Sequence, residues 1–205
     1  MKIDHLVYAV PDLNQAIADL DAKLGIAPVF GGQHLTKGTK NALLNLGNGA
    51  YLELLAIDST NDQIQPPRWM GIDLIEAPQM VRWALKTDQI DLVSSLLSDF
   101  HPEHGRIETG ERQQANGEFL RWQMCLPTPI PVVDILPFFV DWSSSLHHPC
   151  NQLETGCSLQ GLQLFHPQPP SIAPLFRALN ISLTIRKGPQ SIRIQIAGPK
   201  GSLSL

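Results

Sequence analysis

One pattern recurs three times along this 205-residue chain: an apolar strand followed at once by an amphipathic helix. "KIDHLVYAV" leads into "PDLNQAIADLDAKLG", "MVRWALKT" into "DQIDLVSSLLSDF", and "CSLQGLQLFHP" into "PSIAPLFRALN". Recurrence constrains the fold strongly, because one such unit cannot bury its apolar faces alone and has to stack on a neighbour. Strand-like segments follow each helix. After the first come "APVFGGQHL", "TKNALLNLG" and "AYLELLAI", with "GNG" at 47–49 as a hairpin turn. After the second come "GRIETGERQ", "EFLRWQMCL" and "PVVDILPFFVDW", with "ANG" at 115–117 as the turn; after the third come "ISLTIRKG", "SIRIQIAG" and "GSLSL". The chain reads as one α+β domain over 1–205. It holds a βαβββ unit at 1–60, a second at 78–142 and a partial third at 156–205, with curved, mostly antiparallel sheets. "STNDQIQPPRWMG" and "SSSLHHPCNQLETG" are connectors rich in turn residues.

Local signals place the helices. Asp12 is a cap with Gln15 as its capping-box partner, Leu13, Ile17, Leu20 and Leu24 form the apolar stripe, and Gly25 ends the helix. Asp88 is the candidate cap of the second helix, with Leu92, Val93, Leu96 and Leu97 as its stripe. In the third, Ile172, Leu175, Phe176 and Leu179 form the stripe, Pro174 is assigned to the first turn, and Asn180 to the C-terminal end. A formal net charge of -4 without a basic block argues against nucleic acid or an anionic membrane as partner. The apolar runs are strand-length, the first residues lack the pattern of a secretory signal, and Cys125, Cys150 and Cys157 have neither disulfide nor zinc spacing, so a reducing cytoplasm is expected. No GxGxxG, P-loop or GxSxG motif occurs. Each unit covers one sheet face with its helix, and pairing two such sheets face to face would close a half-barrel around a pocket.

The stretches "IDHLVYAVPDL", "GGQHLTKGTKNALLNLGNGAYLELLAI", "WALKTDQIDLV", "LPFFVDW" and "GCSLQGLQLFHPQP" resemble the vicinal oxygen chelate superfamily, and within it the glyoxalase-like domain proteins (the fold of glyoxalase, bleomycin resistance proteins and dihydroxybiphenyl dioxygenase). The resemblance spans nearly the whole chain. It implies a half-barrel with a small-molecule pocket, and it leaves room for a homodimer. In metal-using members the ligands come from the first and last strand of each unit. That pattern puts His5 and Glu53 at the ligand positions of the first unit, and Trp83 and Asp141 at those of the second. An indole N–H only donates, so Trp83 removes one ligand. Any divalent metal (Zn, Fe, Mn or Ni) would then be held by His5, Glu53 and water, and the protein could equally use none.

Residue chemistry supports the same positions. In "AYLELLAI", alternation sets Tyr51, Glu53, Leu55 and Ile57 on one face and Leu52, Leu54 and Ala56 on the other. A carboxylate embedded in such a strand needs a cation, a hydrogen-bond network or a solvated pocket. His5 serves as ligand or general base, with a buried, hydrogen-bonded packing histidine as the plainer alternative. Asp141 is a third acid–base candidate, its alternative being an exposed strand end. Trp83, Asn41, His34 and Tyr51 are the candidate ligand-contacting residues, with plain core as the commoner fate of a strand tryptophan such as Trp83; Arg68 and Trp69 could lie over the pocket mouth, with an exposed linker arginine as the plainer reading of Arg68. "HPEHG" and "LHHPC" read as ordinary turn and connector. Two functions follow: an enzyme of lyase, isomerase or dioxygenase type acting on a small oxygenated organic molecule, or a metal-free protein that binds or sequesters one.

Overall fold

The computed structural model describes residues 2–113, 119–125, 128, 130–145 and 147–205; the expected turn at 115–117 lies outside them. The first unit consists of β1 (Lys2–Ala9), α1 (Leu13–Leu24), β2 (Val29–His34), β3 (Thr39–Asn45) and β4 (Tyr51–Ile57). The second repeats it with β5 (Gln79–Lys86), α2 (Ile90–Phe100), β6 (Ile107–Gln113), β7 (Phe119–Cys125) and β8 (Phe138–Asp141). All eight strands share one curled sheet in the order β2-β3-β4-β1-β5-β8-β7-β6. Within each unit the first strand runs parallel to the last, β1 beside β4 and β5 beside β8. The units join edge to edge through antiparallel β1 and β5, not face to face as the sequence suggested. Each first strand has one edge filled by its own unit, and pairing the two free edges leaves no open strand at the centre of the sheet. The curl brings the ends of the sheet together, and an ion pair from Lys37 Nζ to Glu108 Oε2 (2.7 Å) spans them. The result is the expected α+β half-barrel.

The C-terminal segment holds β9 (Ser158–His166), α3 (Pro169–Ala178), β10 (Ile185–Lys187), β11 (Ser191–Gly198) and β12 (Gly201–Ser204). Its four strands form a separate sheet ordered β10-β9-β11-β12, a pairing unlike that of the other units. This sheet lies against the helix side of the half-barrel. Leu164, Ile192, Ile194 and Ile196 there join one apolar core with Leu6, Leu52, Leu54, Leu20 of α1 and Leu97 of α2. Each such side chain, fully buried, contributes roughly 1.5–3 kcal/mol. Strand alternation in β4 is as expected: Leu52, Leu54 and Ala56 enter this outer core, while Tyr51, Glu53 and Leu55 face inward. No helix among the described residues is long and apolar enough to cross a membrane.

The helix ends follow their sequence signals in part. Asp12 accepts the Gln15 backbone N–H at 3.0 Å, but the Gln15 side chain turns away and donates to Asp19 (2.8 Å). Gly25 closes α1 in the left-handed region, at φ 84°. Asp88 does not cap α2: Gln89 holds the cap position without a side-chain bond, and its backbone N–H goes to Thr87 Oγ1 at 3.0 Å. Leu92 is 56% exposed, and Ile90 takes its place in the buried stripe. Because α3 starts at Pro169, whose ring presets the first helical φ, Pro174 falls inside the helix and not in its first turn. Asn180, at φ 52°, ends α3 as expected: its N–H reaches the Arg177 carbonyl and the Ile181 N–H that of Phe176.

Trp83 does not line the cavity on the concave face of the half-barrel. On β5 it lies opposite Leu6 and faces the outer core, fully buried, with Nε1 donating to the Ile135 carbonyl at 2.7 Å and its ring 6.3 Å from Phe176 of α3. Its neighbour Ala84, paired with His5, holds the inward position instead. Replacing Trp83 by Ala should therefore destabilise the protein by about 3–5 kcal/mol, measured by denaturant unfolding, through a cavity at the seam between the half-barrel and the C-terminal unit.

Candidate functional site

The concave face of the half-barrel holds an inward-facing cavity. Its polar non-indole side chains all enter from the first unit: His5 on β1, His34 on β2, Asn41 on β3, and Tyr51 and Glu53 on β4. The opposite wall is apolar, with Trp122 and Met124 of β7, Phe138 and Val140 of β8, and Trp142 just beyond. Trp69 and Met70 close the mouth from a short segment, Trp69–Leu74, kinked at Met70 and Gly71, in the connector between the units. Met70 takes the left-handed conformation (φ 56°), which costs energy for a residue with a Cβ and turns its side chain inward to 1% exposure.

Glu53 is the centre of the polar wall. It is 4% exposed, and Oε1 accepts the Asn41 amide at 2.6 Å. His5 Nε2 faces Oε2 at 3.5 Å, and His34 Nε2 lies 3.9 Å from Oε1. His34 is fixed from behind by Thr39 Oγ1, 3.0 Å from Nδ1, and that same hydroxyl oxygen accepts the indole N–H of Trp69 at 3.1 Å. Tyr51 stacks on His5 at 4.8 Å between ring centres, and Phe138 meets the same imidazole edge-on at 5.2 Å.

Behind His5 stands a residue that the sequence reading passed over. Asp4 is fully buried, and its carboxylate takes three contacts: His5 Nδ1 at 2.6 Å, Trp142 Nε1 at 2.9 Å and His148 Nε2 at 3.0 Å. Burial alone would raise its pKa, but the hydrogen bonds and charge of His148 and His5 outweigh that and hold the carboxyl far below its usual range. A carboxylate only accepts, so each of the three nitrogens presents a hydrogen. His148 agrees, since its Nδ1 accepts the Cys150 N–H at 3.2 Å. His5 therefore carries a hydrogen on Nδ1 and turns Nε2 toward Glu53 and the cavity. In a regular strand Asp4 and His5 would point to opposite faces. The register between β1 and β5 shifts between Ile3 and His5, and this bulge turns Asp4 toward its neighbour. No periodicity in the sequence carries that information.

Of the other expected residues, Tyr51, Asn41, His34 and Trp69 line the cavity and Arg68 does not; its guanidinium pairs with Asp73. Asp141 also lies outside the lining. Val140 takes the inward position on β8, and Asp141 accepts the backbone N–H of Ser143 (2.8 Å) and its hydroxyl, which makes it a turn-closing residue. The distal residues Trp122, Trp142, Phe138 and His148 were not identified from sequence, since nothing local marks a strand tryptophan as facing a cavity.

A divalent metal does not fit this donor set. Of the four strand positions from which metal-using relatives draw ligands, β1 and β4 supply His5 and Glu53. The inward positions on β5 and β8 are Ala84 and Val140, which have no lone pair to give. Glu53 Oε1 is already engaged by Asn41. No group of three or more His, Cys, Asp or Glu among the described residues is arranged to hold a metal ion.

This curled sheet with its inward-facing pocket is the fold of the vicinal oxygen chelate superfamily. The glyoxalase-like domain family matches residues 3–179, and the chain belongs to that family. No curated protein matches it. Among solved structures, a hypothetical protein from Staphylococcus aureus is similar over 98% of this chain and 84% of its own, at 14% identity and a TM-score of 0.64. Methylmalonyl-CoA epimerase from Mycobacterium tuberculosis is similar over 68% of this chain and 86% of its own (21% identity, TM-score 0.43). A methylmalonyl-CoA epimerase from Streptomyces coelicolor, in complex with 2-nitronate-propionyl-CoA, is similar over 70% and 96% (18% identity, TM-score 0.47).

The Asp4 contacts give a pH-dependent expectation. Its pKa is lower in the folded chain than in the unfolded one, so its contribution is full above the ordinary carboxylate value of about 4 and fades as the pH falls below it. Asp4→Asn should cost roughly 3–5 kcal/mol near neutrality, because an amide cannot accept all three N–H groups. The gap to the parent protein should narrow in unfolding measurements taken at successively lower pH.

Proposed function

We propose that this protein is an enzyme that moves a proton on a small oxygenated organic molecule held in the half-barrel, with Glu53 and His5 as the acid–base pair. The observation that carries this reading is the placement of a buried carboxylate opposite an imidazole already oriented from behind by Asp4. Burying Glu53 costs several kcal/mol unless its charge is compensated; the Asn41 amide donates to it, and the lone pair of His5 Nε2 faces it at the surface of a cavity, placed to take a proton from it. A protein that only packs or only binds needs no such pair; proton transfer does.

In this mechanism the substrate lies against the aromatic wall with its oxygen toward the polar one. Glu53 Oε2 takes a proton from the carbon beside a carbonyl, and the released electron pair moves onto the carbonyl oxygen as an enolate. The proton passes to His5 Nε2, whose positive charge Asp4 stabilises, and is returned to the substrate from there. His34 and Asn41 hold Glu53 and line the space beside it. Positioned acid–base groups of this kind contribute roughly 10²–10⁴-fold in rate. This chemistry belongs to isomerases and lyases of the superfamily and not to its dioxygenases.

The test is exchange of substrate hydrogen for solvent deuterium. Enolisable carbonyl compounds incubated with the protein in D₂O and followed by NMR should incorporate deuterium beside the carbonyl. Glu53→Gln should slow this by about 10²–10⁴-fold with an unchanged circular dichroism spectrum, and removing a buried charge should leave thermal stability equal or higher. Exchange that survives the substitution would show that Glu53 is not the base.

A further inference from the structure

We infer that the cavity selects an uncharged ligand with a flat aryl-sized body and a single carbonyl or hydroxyl head, and that it rejects carboxylates and phosphates. This deepens the acid–base reading and rests on it. The first observation is the division of the cavity into two walls. The polar side chains His5, His34, Asn41, Tyr51 and Glu53 stand on the first unit, and the facing wall is built of Trp122, Phe138 and Trp142 with Met124 and Val140. Such a slot favours a ligand that is polar at one end only, its ring placed against aromatic faces that pack in offset or edge-on fashion.

The second observation is charge. Among the described residues no lysine or arginine lines the cavity. The nearby cations are engaged elsewhere: Lys37 with Glu108, Arg68 with Asp73, Lys86 with Asp4 and the Gly49 carbonyl. Arg82, on β5, is buried and donates to the carbonyls of Val81, Thr128, Pro131 and Val132. A ligand anion would lie beside the Glu53 carboxylate in a low-dielectric site with no counter-charge, which is strongly unfavourable. A ligand cation would gain the attraction of Glu53 but give up its hydration against the aromatic wall, with Oε1 already taken by Asn41.

The experiment uses three near-isosteric probes that differ in charge: benzamide, benzoate and benzamidine. Trp69, Trp122 and Trp142 line the cavity and Trp83 does not, so three of the four tryptophans report occupancy by fluorescence, with calorimetry as the direct measure. Benzamide should bind to the wild-type protein, and benzoate should bind at least roughly 100-fold more weakly. In Glu53→Gln the benzoate deficit should shrink by at least about tenfold, since the opposing charge is gone. Benzoate or benzamidine binding more tightly than benzamide would overturn the charge selection, and binding of none of the three would overturn the aryl-sized body. Either failure leaves the deuterium-exchange test untouched, so selection and proton transfer stand or fall separately.

Discussion

The Asp4 carboxylate organises the candidate site. It is fully buried at the start of β1, and it gathers an imidazole from the same strand, an indole from beyond β8 and an imidazole from the connector to the C-terminal unit. A buried anion without donors would cost several kcal/mol, comparable to a large part of a domain's net stability. The arrangement therefore holds together or fails together. It fixes which nitrogen of His5 faces the cavity, and it ties the two halves of the half-barrel and the connector to one point.

The same economy appears across the sheet. Every strand of the centre carries one face into the outer core and the other into the cavity, so the fold separates stability from chemistry by strand alternation. Trp83 and Ala84 show the consequence. One step along β5 moves a residue from the seam with α3 to the position opposite His5, and the small side chain there leaves the cavity open. The inner wall is lined mostly by aromatic and thioether groups, and the polar groups gather where β1 to β4 run side by side. A divalent metal is often used in this superfamily, whereas this chain invests its buried polar groups in hydrogen bonds with one another.

Much of this was legible in the sequence. The repeated strand–helix order dictated the two units, because residues of apolar period 2 followed by period 3.6 leave few other ways to bury both faces. The "GNG" turn, the Asp12 cap and the Asn180 end follow from local chemistry, which depends on near neighbours only. Tyr51 and Glu53 could be placed on one face of their strand, since alternation within a strand is a local property, whereas His5 was placed through the resemblance. Asp141 and Trp83 were misplaced by one residue because the strands' absolute phase is set by pairing across the sheet, and a shift of one flips the face.

The sequence by itself determined the units, their order and the alternation of each strand, because these rest on interactions between residues close along the chain. Only the tertiary structure decided that the units join through β1 and β5, that a bulge turns Asp4 toward His5, that Trp142 and His148 meet that carboxylate, and that the C-terminal sheet covers the outer core. Those contacts link residues as far apart as 4 and 148, and no local pattern encodes a partner that distant. It is the cost of leaving a buried charge or an apolar face uncovered that selects the partner, and that cost exists only once the chain has folded.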